Sequence, residues 1–199
     1  MIVLEILRSM RPRQWTKNLV VFAALIFSLN LTDTRLAMHT VIGFLTFCAL
    51  SGWVYVLNDL KDREKDRLHP RKRERPIASG RLPVPAAIVT LVVLFIGGLT
   101  VAWWLGTGFF VVAVSFLALN TAYSFVLRSL VLLDVIAIST GFVLRALAGA
   151  EVLIGAGTDV RISPWLLLCT FFLSLFLALG KRRAELTAVS HEHRRVLRS

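Results

Sequence analysis

Apolar residues run almost unbroken along six stretches of the chain, at 19–31, 36–57, 85–105, 109–127, 131–154 and 165–180, and polar residues collect in the gaps. Most of these runs approach the roughly 20 residues that an α-helix needs to cross a hydrocarbon core of about 30 Å. The pattern therefore predicts six membrane spans. The first and last runs are short, so the first is expected to draw in residues 14–18 and the last to be tilted or deeply packed. The opening MIVLEILRSMRPRQW carries Glu5 inside an apolar stretch and has no small-residue cleavage site. That fits an amphipathic helix on the inner membrane surface better than a signal peptide.

Composition agrees with this pattern. At 199 residues, 56% hydrophobic and mean hydropathy +0.72, the chain is too apolar for a soluble domain of its size. Cys48 and Cys169 both fall inside apolar runs without a CxxC partner, and are expected to be buried apolar residues. Charge then orients the bundle. Of the 23 Lys and Arg, 20 lie on one side if six helices alternate, leaving Arg35, Arg145 and Arg161 elsewhere. The opposite loops, around 30–34, 106–108 and 155–161, are short or nearly neutral. By the positive-inside rule the basic side is cytoplasmic, and with it both termini. Trp15, Trp53, Trp103, Trp104 and Trp165 are expected to be interfacial anchors near span ends.

Between the second and third runs, residues 58–84 form the most charged segment. Asn58, Asp62 and Asp66 stand at i, i+4 and i+8, with Asp59 three before Asp62. If the second span continues as helix, all four share one face at the membrane surface. Three carboxylates on one face repel each other unless a hard divalent cation sits among them, and Mg²⁺ so held completes its octahedron with water and phosphate. Two other accounts stay open: a solvated loop whose alternating charges neutralise each other, and a basic block at 71–75 that serves as a positive-inside signal or anionic-lipid patch. Pro76, Gly80, Pro83 and Pro85 mark a turn before the third span.

Asn58-Asp59-x-x-Asp62-x-x-x-Asp66, followed by Arg75-Pro76-x-x-Ser79-Gly80, resembles the first aspartate-rich motif of the UbiA superfamily of intramembrane prenyltransferases. The resemblance implies an all-α, polytopic membrane bundle in which Asp59, Asp62 and Asp66 hold Mg²⁺ against the diphosphate of a donor. The chain departs from the usual pattern where a second acidic motif is expected, carrying Gly180-Lys181-Arg182-Arg183-Ala184-Glu185-Leu186 instead. With Arg11-Pro12-Arg13-Gln14-Trp15-Thr16-Lys17-Asn18, Tyr123-Ser124-x-x-Leu127-Arg128, Asp134 and Gly141-Phe142-Val143-Leu144-Arg145-Ala146, this is similar to the decaprenyl-phosphate phosphoribosyltransferase branch. That branch implies transfer of the 5-phosphoribosyl unit of phosphoribosyl diphosphate onto a polyprenyl phosphate, with diphosphate leaving and no nucleic acid involved. The question of a homo-oligomer stays open.

The implied catalytic residues are Asp59, Asp62, Asp66 and Asp134. The implied substrate-binding residues are Lys17, Asn58, Arg75, Tyr123, Arg128, Arg145, Lys181, Arg182, Arg183 and Glu185. Three anionic groups would share one pocket, and Lys and Arg are the available counterweight. Asp134 and Arg145 are eleven residues apart in one span, about 16 Å along a helix, so each needs its own partner. Family members have about nine spans, so a six-span chain is expected to be one transferase domain that is incomplete at its C-terminus. Two alternatives remain: a conventional UbiA-type prenyltransferase using a prenyl diphosphate and an aromatic or lipid acceptor, and a non-catalytic membrane protein that binds anionic lipid.

Overall fold

The computed structural model describes residues 2–126, 131–161 and 163–196; side chains at 131 and 185–196 are outside that description. Among the described residues the chain is helical throughout, without a β-strand. Five helices are long and apolar enough to cross a membrane: α3 (Thr34–Lys61), α5 (Val84–Leu105), α6 (Thr107–Phe125), α7 (Val131–Gly155) and α8 (Pro164–Val196). Shorter helices α1 (Ile2–Ser9), α2 (Ala23–Phe27) and α4 (Arg63–Leu68) lie between or before them.

The first expected span takes a different form. A 3₁₀ helix, Pro12–Phe22, runs directly into α2. Eleven residues at the 3₁₀ rise cover about 22 Å, and five α-helical residues add about 7.5 Å, so the segment still reaches across the bilayer core. It lies antiparallel to α3: Arg11 meets Asp59 at one end, Asn18 meets Cys48 and Ser51 midway, and Leu25 shares a core with Leu36 at the other. The segment also presses against α7. A Cβ at Gly149 would sit 2.0 Å from the Val21 carbonyl oxygen, so only glycine allows that approach.

α3 starts sharply because Asp33 caps it, accepting hydrogen bonds from the backbone N–H of Arg35 at 2.9 Å and Leu36 at 3.1 Å, a cap of about 1 kcal/mol. It is the central helix, packing against the first crossing, α5, α6 and α7. Phe47 stacks between Phe109 and Phe116 of α6, and with Val21, Leu50 and Val152 forms the main core. α5 and α8 are peripheral. Val89, Val93 and Ile96 on α5 and Phe172, Phe176 and Leu177 on α8 are exposed, an apolar belt suited to lipid rather than water.

Three expectations change here. The sixth run is not deeply packed: as part of α8 it continues through polar residues, which removes the shortage of length, and only 6% of its most apolar window is buried. Cys169 is accordingly exposed, while Cys48 is buried. Trp53 is no interfacial anchor, since it sits two turns inside α3 against Phe95. Exposed Trp103, Trp104 and Trp165 lie at the end of the bundle away from the aspartates. On α1 the polar Glu5 and Ser9 are buried while Ile2, Val3, Leu4 and Leu7 are exposed. Its apolar face thus points outward, the arrangement expected of a helix lying on a membrane.

Candidate active site

The charged segment folds into a built structure at one end of the bundle. Backbone hydrogen bonds from Asp62 N–H to the Asn58 carbonyl (2.9 Å) and from Asp66 N–H to the Asp62 carbonyl (2.8 Å) carry the helical register from α3 into α4. Asp59 and Asp66, seven residues apart, therefore lie on one face two turns apart. Both are buried, at 2% exposure each. Arg75 joins them: its Nη1 donates to Asp59 Oδ1 at 3.1 Å and to Asp66 Oδ2 at 2.7 Å. Arg11 Nη2 donates to the same Asp59 oxygen at 2.5 Å and stacks over the Tyr55 ring at 4.9 Å.

Arg75 is held there by the turn that follows it. Ile77, at 1% exposure, and Leu82, also 1%, pack with Val56 and Ala87 in a small core under the loop. Ser79 N–H donates to the Arg75 carbonyl and Leu82 N–H to the Pro76 carbonyl. Gly80 takes φ +80° with nothing near its missing Cβ, so backbone strain rather than crowding favours glycine there. The Arg-Pro-x-x-Ser-Gly sequence is thus a clamp that aims one guanidinium at two carboxylates. Glu5 fastens α1 onto it, accepting from Arg81 Nε at 3.2 Å.

The expected trio of carboxylates is not assembled. Among the described residues no three His, Cys, Asp or Glu side chains gather as a metal-binding group. Asp62 stands at the joint between α3 and α4, with φ −89° and ψ 6°. Asp66 shares Arg75 with Asp59 and shares with Asp62 an open depression of about 250 Å³, also lined by Lys65, His69 and Lys72. The arrangement is two overlapping pairs, because Arg75 occupies the position between Asp59 and Asp66. This donor set still fits Mg²⁺, which is commonly bound by one or two carboxylates, substrate phosphate and water. Two buried carboxylate oxygens already face one cationic point.

A second carboxylate lies across α6, α7 and α8. Asp134, 2% exposed, accepts from Tyr123 Oη at 2.7 Å and from Arg182 Nε at 2.7 Å. Both of its oxygens are engaged, so it ties three helices together. Arg145 is separate from it, as the spacing required. Its Nε donates to Asn18 Oδ1 and its Nη1 to the Gly141 carbonyl, both at 2.7 Å, and its guanidinium faces the rings of Phe116 and Phe142. Lys17 stands within electrostatic reach of both Arg145 and Lys181. Asn58 is half-buried in the last turn of α3, and Arg183 is exposed on α8. Arg128 and the Glu185 side chain lie outside the described residues.

Sequence reasoning missed three members of the site: Arg11, Asn18 and Tyr55. Arg11 and Asn18 bracket the basic N-terminal stretch from which only Lys17 was chosen. Tyr55 is one turn before Asp59, a spacing that places both on the same face.

The sequence profile of the UbiA prenyltransferase family matches residues 19–184. The chain is 38% identical to the decaprenyl-phosphate phosphoribosyltransferase of Mycolicibacterium smegmatis over 189 residues, which cover 93% of this chain and 58% of the relative. It is 38% identical to the protein of the same name from Corynebacterium glutamicum, over 90% of this chain and 54% of that one. The chain thus spans a little over half the length of these relatives. A UbiA homolog from Archaeoglobus fulgidus, solved with GPP and Mg²⁺ bound, superposes with a TM-score of 0.72 at 25% identity, over 89% of this chain and 62% of that chain. The helical bundle, the aspartate stretch with its arginine clamp and the match over most of the chain lead to one conclusion: this multi-pass membrane protein belongs to the UbiA prenyltransferase family.

Proposed function

We propose that this chain carries the active site of a Mg²⁺-dependent phosphoribosyltransferase, which moves the 5-phosphoribosyl group of phosphoribosyl diphosphate onto a polyprenyl phosphate such as decaprenyl phosphate and releases diphosphate. The observation that carries the reading is the charge asymmetry of the site. One wall bears the buried Asp59 and Asp66 with Arg11 and Arg75. The facing α8 bears Lys181, Arg182 and Arg183 where an ordinary prenyltransferase would carry a second acidic motif. A pocket with one metal-binding wall and one cationic wall suits a donor with a diphosphate and a further phosphate, together with an anionic acceptor. The names and identities of the relatives support the same substrates.

When bound, Mg²⁺ would neutralise charge on the departing diphosphate. Asp59 and Asp66, with Asp62 beside them, would hold it. Arg75 and Arg11 would then turn from the carboxylates toward phosphate oxygens, since one guanidinium cannot remain between two carboxylates that a metal occupies. The acceptor phosphate is already anionic at neutral pH, so no strong general base is needed, and catalysis rests on positioning and electrostatic stabilisation. Asp134 acts by fixing Arg182 and Tyr123. The basic end of the bundle faces the cytoplasm, where the sugar donor is in solution, and the lipid tail enters from the bilayer between helices.

The test uses purified chain in detergent, a long-chain polyprenyl phosphate, Mg²⁺ and radiolabelled phosphoribosyl diphosphate. Label is expected in the organic phase, and its transfer is expected to stop with EDTA. Transfer of a labelled prenyl diphosphate to an aromatic or lipid acceptor instead would replace this reading with the conventional prenyltransferase.

A further inference from the structure

Arg145 is buried in the bundle, at 8% exposure, yet every partner it has is neutral. Nε and Nη1 go to Asn18 and to the Gly141 carbonyl, and the guanidinium faces two aromatic rings at 4.8 and 5.4 Å. Among the described residues no carboxylate pairs with it and Nη2 makes no hydrogen bond. The nearby acids are committed elsewhere, Asp59 to Arg11 and Arg75 and Asp134 to Arg182. Lys17 and Lys181 add positive charge within electrostatic range instead of compensating it. Arginine does not shed its proton in proteins, and an unpaired ion in a low-dielectric interior costs several kcal/mol. A charge kept at membrane depth under those conditions marks a place for a counter-ion.

Asn18 prepares the guanidinium for that role. Its Oδ1 accepts from Arg145 Nε and from Ser51 Oγ, and its Nδ2 is anchored on Cys48 Sγ. This fixes the plane of the fork. The level of the site follows from Ser51, eight residues before Asp59 on α3, or about 12 Å deeper. Tyr55 lies between, within electrostatic range of both Arg11 and Arg145.

We propose that Arg145, with Lys17, Lys181 and Asn18, forms a second anion subsite that takes a phosphate monoester, about two helical turns below the diphosphate position at Asp59 and Asp66. Three cations suit a phosphate dianion better than a carboxylate, and the arginine fork can grip two of its oxygens. The assignment rests on the transferase reading above and deepens it. The monoester comes either from the sugar donor or from the lipid acceptor.

The experiment measures binding of three probes to the full chain in detergent by calorimetry: ribose 5-phosphate, farnesyl phosphate, and pyrophosphate with Mg²⁺. Wild type is expected to bind one of the monoesters. Arg145→Met and Lys17→Met should each weaken that monoester by about tenfold or more, while Mg²⁺-pyrophosphate binding stays within about twofold, and the probe that loses affinity identifies the source. Lys17 is exposed at the surface of its helix, so Lys17→Met decides the matter even if Arg145→Met fails to fold. Monoester affinity unchanged in Lys17→Met and in any folded Arg145 variant overturns the subsite while leaving the transferase reading intact. Wild type that binds Mg²⁺-pyrophosphate but neither monoester overturns both.

Discussion

At the mouth of the bundle, Asp59 and Asp66 are buried acids whose charge is met twice over by the protein's own Arg75 and Arg11. About 12 Å deeper, Arg145 is a buried base met only by an amide oxygen, a carbonyl and two ring faces. Both places put ions where water is scarce, but only the first balances them internally. A balanced site is stable when empty and must exchange partners when a ligand arrives. An unbalanced one gains its missing charge from the ligand itself. The difference teaches where binding should require rearrangement, at the arginine clamp, and where the protein is preorganised, around Asn18 and Arg145.

The strongest way to break this comparison is to remove the acids. Asp59→Ala, Asp66→Ala and Asp62→Ala are each expected to lower transfer of labelled phosphoribosyl by at least about 10²-fold, the scale of losing a principal electrostatic stabiliser, with helical circular dichroism unchanged. Full rate in Asp62→Ala would remove that residue from the site, which its place outside the Asp59–Asp66 pair makes the most informative of the three. Next in size is Gly149→Ala. Its new Cβ would collide with the Val21 carbonyl and push the first crossing off α7, so the thermal midpoint in detergent should fall by the equivalent of about 1–3 kcal/mol.

Arg75→Ala sharpens the comparison from the other side. With the clamp gone, Asp59 and Asp66 lose their shared partner, and the variant is expected to be less stable than wild type in EDTA but to regain more stability on addition of Mg²⁺. Equal Mg²⁺ response in the two proteins would show that Arg75 and the metal do not compete for one place. The smaller effects belong to Asp134. Asp134→Asn keeps an acceptor for Tyr123 but deletes the ion pair with the partly exposed Arg182, and should cost about 1–3 kcal/mol. Tyr123→Phe removes one hydrogen bond and should cost about 1 kcal/mol. A Tyr123→Phe loss larger than that of Asp134→Asn would make the phenol, not the charge, the main tie among the three helices.

Much of the site was legible in the sequence because helical spacing is local. The i, i+3, i+4 and i+7 relations among Asn58, Asp59, Asp62 and Asp66 needed only the continuation of α3 into α4, which the backbone hydrogen bonds supply. The same reasoning required separate partners for Asp134 and Arg145, and they have them. The roles of Arg11, Asn18 and Tyr55 were not legible. Arg11 reaches Asp59 across 48 positions and Asn18 reaches Arg145 across 127, and no periodicity spans such distances.

By itself the sequence determined the membrane class, the crossings and the end of the bundle at which charge collects, since each follows from composition over a window as long as a bilayer is thick. It could not determine that the first crossing stretches into a 3₁₀ helix, that α8 stands at the periphery with Cys169 exposed, or that a guanidinium separates the aspartates. Those outcomes depend on which helix packs against which. Where Gly149 lets a backbone approach and where the core under Ile77 fixes a loop, contacts between residues far apart in the chain decide the result, and such contacts exist only once the fold has brought them together.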